Sequence, residues 1–110
     1  MEFEEYPKLV RNRIPEIIKE KTGAEASIKL ASNDVEFLDY LLKKMVEESV
    51  ELRNSPEAGN LEEELADIFE VIYAILSVKH KTIEDIIAIQ KQKREKRGGF
   101  DKRIIMLKKP

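Results

Sequence analysis

The chain has 110 residues, 42% of them hydrophobic and 38% charged, with a net charge of −2. It is long enough for one domain, residues 1–110, that buries only about 65% of the surface its unfolded form exposes, so oligomerisation would help it. There is no cysteine and only one histidine, His80, which excludes disulfides, thiolate metal sites and cysteine nucleophiles and leaves oxygen as the ligand of any metal. No apolar run is long enough to span a membrane, and the start "MEFEEYPKLV" lacks the basic and apolar regions of a secretory signal, so the cytoplasm is the expected compartment.

The elements expected in chain order are helical. "RNRIPEIIKEKTG" reads as a short helix with Pro15 in its first turn and Gly23 just past its last. Around residues 28–30 there is room for a brief extended segment. Asn33 or Asp34 can cap a long helix that runs to about Asn54, and "NSPEAGN" is a turn cluster. Asn60 can cap a helix from about Leu61 to Lys79, with Glu63 at the capping-box position. Thr82 caps a further helix that Gly98 and Gly99 stop, and the tail at 101–107 could be a short strand or an arm. The fold expected is all-α, an antiparallel helical hairpin plus further helices, its bundle completed by oligomerisation.

Charge is segregated along this plan. Asp34 to Glu70 holds twelve acids and three bases, whereas the last twenty residues hold nine bases and two acids. At 100° per residue, Leu38, Leu41, Leu42, Met45 and Leu52 form one apolar stripe, with Glu48 and Glu51 on its flank. Leu61, Leu65, Ile68, Phe69, Ile72, Ile75 and Leu76 form a second, flanked on the same side by Glu64 and Asp67. In an antiparallel hairpin, Glu51 then lies level with Glu64 and Glu48 with Asp67. Glu47, Glu62, Glu63 and Glu70 point away and read as surface acids.

Four clustered carboxylates repel one another, and the rim of a core worsens the repulsion. A divalent cation relieves it, Mg²⁺ first and Mn²⁺ as a second candidate, and such a centre suits hydrolysis of a phosphoanhydride. Lys8, Arg11 and Arg13 near the start and Arg94 and Arg97 near the end could contact phosphates; the plain alternative for the C-terminal bases is to complement a helix dipole. A nucleic-acid surface is disfavoured by the net acidity and by the absence of interleaved aromatics in the basic tail. His80 reads as a capping or surface residue, and Tyr6, Tyr40 and Tyr73 as packing rather than base stacking.

"EExxE" at Glu47, Glu48 and Glu51, followed by "ExxD" at Glu64 and Asp67, resembles the metal motif of the all-α nucleoside triphosphate pyrophosphohydrolase superfamily, which includes MazG, the dimeric dUTPases and phosphoribosyl-ATP pyrophosphohydrolase. "KLVRNRIPEII" and "KREKRGGFDKRI" resemble a small single-domain, house-cleaning branch of it, and the likeness covers nearly the whole chain. The resemblance implies Mg²⁺-dependent cleavage between the α and β phosphates of a nucleotide, metal ligands at Glu48, Glu51, Glu64 and Asp67, and a homodimer or homotetramer. It also implies phosphate contacts from Lys8, Arg11, Arg13, Arg94 and Arg97. Asn12 departs from the branch, which often has an acid there. Two other functions stay open: the phosphoribosyl-ATP activity of histidine biosynthesis, and a non-enzymatic helical module whose acidic edge binds a basic partner.

Overall fold

A computed structural model describes residues 6–110. Among them are four α-helices and no strand: α1 (Ile14–Thr22), α2 (Asp34–Ala58), α3 (Leu61–Val78) and α4 (Ile83–Arg97). The all-α expectation holds, and the segments at 28–30 and 101–107 are irregular chain without a pairing partner.

Local chemistry explains most boundaries. Pro15 opens α1, and Gly23, at φ 75°, closes it by donating its N–H to the Lys19 carbonyl. Asn33 caps α2 by accepting the Glu36 N–H at 2.9 Å. Thr82 and Asp85 close a reciprocal capping box at the start of α4. His80, exposed, ends α3 in the left-handed region at φ 55°.

Two boundaries differ from expectation. The turn cluster "NSPEAGN" is mostly helix: α2 continues through Pro56 to Ala58, and only Gly59 and Asn60 turn. Proline lacks the N–H that would have bonded the carbonyl of Leu52. The hydroxyl of Ser55 donates to that same carbonyl at 2.7 Å, so the helix passes the proline with the acceptor satisfied. Asn60 does precede α3, but its side chain makes no cap; its amide is used elsewhere.

The long helices α2 and α3 pack along one another, and no other pair of helices does so to a comparable extent among the described residues. The seam repeats every seven residues, as in antiparallel coiled packing. Leu41, Glu48 and Ser55 are buried at that spacing on α2 and Glu64 and Val71 on α3, with Val78 half-buried one heptad further on; Glu47 and Leu76 are buried beside them. Glu48 and Glu64 therefore occupy seam positions, whereas Glu51 and Asp67 stay on the flank. The stripes are only partly covered: Leu41 and Leu76 are buried and most of the others half-buried, but Leu42, Leu65 and Phe69 stay exposed, Phe69 at 54%, as do Val46 and Tyr73 outside the stripes. Measured from the seam, Leu42, Leu65 and Phe69 are offset by about 100–140° in the same rotational sense on two antiparallel helices, which places them toward one face of the hairpin, while Val46 and Tyr73, at about 160–200°, point away from the seam. Glu51 and Asp67 are offset in the opposite sense and lie toward the other.

Candidate metal centre

The heptad register stacks acids where apolar side chains would normally interlock. Glu48 and Glu64 are only 6% and 8% exposed. Glu48, Glu51 and Glu64 each bring an oxygen to within 4.8 Å of the others. Asp67 is near enough for its charge to act on Glu48 and Glu64, but it stands outside this group of three. Arg11, on the segment before α1, donates to its Oδ1 from Nη2 at 2.7 Å. Three of the four expected ligands are thus brought together, and the fourth is held beside them by a cation.

With both seam carboxylates ionised, Glu48 Oε2 and Glu64 Oε2 are buried without a hydrogen-bond donor, a situation native proteins rarely leave unresolved. Protonation is one way out. Burial, then a hydrogen bond to Glu64, then the charge of Glu51 push the Glu48 carboxyl up to about 8, against the pull of Lys44. Burial raises Glu64 as well, while its hydrogen bond with Glu48 acts the other way. One proton held between the two carboxyls supplies the missing donor. A divalent cation is the other way out, and the donor set suits it: hard carboxylate oxygens only, two of them buried and unbonded.

Residues the sequence reading passed over support the cluster. Asn60 Nδ2 donates to Glu64 Oε1 at 3.3 Å, which is why Asn60 does not cap α3. Lys44 Nζ lies 3.7 Å from Glu48 Oε1 and 3.2 Å from Glu47 Oε2. Glu47 was expected at the surface and is instead buried, because Lys44 and Lys8, the latter at 3.6 Å, enclose it. The i−4 and i+4 spacings of Asn60 to Glu64 and of Lys44 to Glu48 were visible signals. Glu62, Glu63 and Glu70 are exposed, as expected.

The basic residues divide. Lys8 and Arg11 reach acids of α2 and α3 and fasten residues 8–11 against the hairpin. Arg13 turns to Glu16 on its own helix at 3.4 Å. Arg94 and Arg97 are exposed on α4 and, among the described residues, form no ion pair with the hairpin carboxylates; Arg94 folds its guanidinium over Gly99, where an added Cβ would meet it at 2.5 Å. Tyr6 and Tyr40 lie under Lys8 and Lys43 at 5.4 and 5.1 Å, and Tyr73 is exposed. No helix among the described residues is long and apolar enough to cross a membrane.

No family model matches the chain, and no curated protein or solved structure matches it.

Proposed function

We propose that the protein is a Mg²⁺-dependent nucleoside triphosphate pyrophosphohydrolase that cleaves the α–β phosphoanhydride to a monophosphate and pyrophosphate, acting on nucleotides with altered bases. The observation that carries the metal half of this reading is the buried, donorless pair Glu48 Oε2 and Glu64 Oε2, with Glu51 beside them. Glu48, Glu51 and Glu64 would hold the cation, with Asp67 as a fourth ligand once Arg11 lets go. Bound there, the metal would supply Lewis acidity toward a phosphoryl oxygen and toward a water. The choice of nucleotide rests on the motif resemblance.

The chain's own residues would do the rest. Arg11 offers a forked donor that can exchange a carboxylate for a phosphate, and Lys8 stands on the same segment. Lys44 holds Glu48 from one side and Asn60 holds Glu64 from the other, keeping both carboxylates aimed at the seam. A nucleotide substrate would place the protein in the cytoplasm, and a homodimer or homotetramer would be its working state.

The test is pyrophosphate release from a panel of standard, oxidised and deaminated nucleoside triphosphates plus phosphoribosyl-ATP, in Mg²⁺, with Glu48→Gln as the blank. Release from one class, lost in the variant, supports the reading and names the substrate. No release from any member by folded protein overturns it, and release from phosphoribosyl-ATP alone moves the assignment to histidine biosynthesis.

A further inference from the structure

The C-terminal part of the molecule is the least satisfied by its own chain. Every residue of α4 after Ile83 is exposed, and none is buried by the hairpin. Beyond Gly98 and Gly99 the arm 98–110 carries Phe100 at 97% exposure, Leu107 at 94%, and Ile104, Ile105 and Met106 nearly as open. Such a run of exposed large apolar side chains on a charged protein marks a contact surface. A second such surface lies on the hairpin, where Leu42, Val46, Leu65 and Phe69 are open to solvent. A groove of about 560 Å³ lined by Met45, Val46, Ser49, Val50, Arg53 and Asn54 runs along the α2 side of it.

The two surfaces match in charge as well as polarity. The hairpin from Asp34 to Val78 holds twelve acids against three bases, and the segment from Ile83 to Pro110 holds nine bases against four acids. In the arm, Lys102 and Arg103 precede the apolar run and Lys108 and Lys109 follow it. On the hairpin, exposed Glu62 and Asp39, the latter paired with Lys43 at 3.0 Å, border the apolar face, and Arg53 lines its groove. The arm is an apolar strip edged with bases, and the hairpin offers an apolar strip on a segment that is acidic in sum.

They do not meet within one chain. A four-residue connection leads from α3 into α4, and α4 then carries the arm about 22 Å further on. The single chain is accordingly extended, with a radius of gyration of 17.8 Å against about 13 Å for a compact chain of this length. Its accessible surface of 10002 Å² exceeds that of a compact monomer of its mass by roughly 3,700 Å². A large obligate dimer needs only about 1,000–2,500 Å² from each chain, so the surplus is ample for a second copy.

We propose that two copies of this chain associate by exchanging their arms, residues 98–110 of each lying on the apolar face of the other's α2–α3 hairpin. The contact is isologous: each copy gives an arm and receives one, which closes the pair as a two-fold dimer. The basic ends of the arm are drawn to the net-acidic hairpin. The arm holds the two hairpins in a fixed relation whatever reaction the carboxylate centre performs, and the test reads mass and crosslinks rather than catalysis.

The cysteine-free sequence makes the test direct. One full-length chain carries Leu42→Cys and a second carries Ile105→Cys; neither position contacts the carboxylate cluster. The two are mixed, equilibrated and treated with a short bismaleimide. A crosslinked product between the two different chains is expected, and little should form when Glu63→Cys, on the exposed side away from the face, replaces Leu42→Cys. Light scattering should give twice the chain mass for the wild type and a single chain mass for Ile104→Asp with Leu107→Asp, whose side chains are exposed in their own chain, with helical circular dichroism retained at low temperature and a lowered melting temperature. A wild type that is monomeric at tens of micromolar, a dimer crosslinked through the hairpins but not through the arm, or a mass unaffected by the arm substitutions would each overturn the proposal.

Discussion

Glu48 shows at a single residue what the heptad seam does to chemistry. In an unfolded chain its carboxyl titrates near 4.5, and in the folded chain burial and two neighbouring carboxylates hold it to about 8. The folded state therefore binds the extra proton across that interval. The stability this carboxyl contributes is full below about pH 4.5 and is lost as pH rises to about 8. The melting temperature of metal-free protein should fall by several degrees between about pH 5 and 8, while Glu48→Gln should flatten that slope and melt higher at the alkaline end. Mg²⁺ added at about pH 8 should restore the wild type and leave Glu48→Gln nearly unmoved. A slope and a Mg²⁺ response that survive the substitution would show that Glu48 is neither the titrating group nor a ligand. Arg11 and Asp67 carry a different lesson: Arg11 pairs with Asp67 and leaves Glu64, the other acid of the ExxD pair, to Asn60 and the seam, and residue type alone does not reveal that.

At the scale of elements, α2 depends on the pair Ser55 and Pro56. The serine hydroxyl bonds the carbonyl that the proline cannot. Ser55→Ala should destabilise the protein by about 1–2 kcal/mol in urea unfolding, because the Leu52 carbonyl loses the hydroxyl that stands in for the missing proline N–H. The double substitution Ser55→Ala with Pro56→Ala should recover most of the loss, since an alanine N–H can take over the bond. Equal losses in the single and double variants would assign the effect to packing at the buried Ser55. The same pair explains why "NSPEAGN" misleads as a turn. Pro, Gly and Asn are turn residues in general, and only the local serine hydroxyl makes the proline compatible with a helix. Caps were legible because their chemistry is local: Asn33, Gly23 and Thr82 satisfy backbone groups within four residues. The seam was not, since a 3.6-residue wheel centres on the most apolar stripe, whereas the helices meet on a seven-residue repeat that includes Glu48 and Glu64.

For the whole molecule, the deciding quantity is exposed surface. A hairpin of two helices with one open apolar face and a detached α4 has too little burial to stand easily alone. Its melting temperature should rise with protein concentration, by several degrees between micromolar and hundreds of micromolar, as association couples to folding. A melting temperature independent of concentration over that range would mean the single chain is already the stable unit. The segregation of acids to the hairpin and bases to the C-terminal segment belongs to this scale too, because the two halves stay apart in the chain that carries both.

The sequence by itself determined the helical class, the start and end of α1, α2's cap and the capping box of α4, since all of these follow from residue type at short spacing; it offered four carboxylates for one cluster, of which the fold gathers Glu48, Glu51 and Glu64. Only the tertiary structure decided that Glu48 and Glu64 are inside the seam, that Glu47 is buried between two lysines, that Asp67 is held by Arg11, and that Arg13, Arg94 and Arg97 stand apart from the acids. The reason is physical. Local hydrogen bonding is set within a few residues, but the rotation of one helix against another is set by how two whole surfaces share burial, and here that rotation leaves oil in water and puts charge in the core.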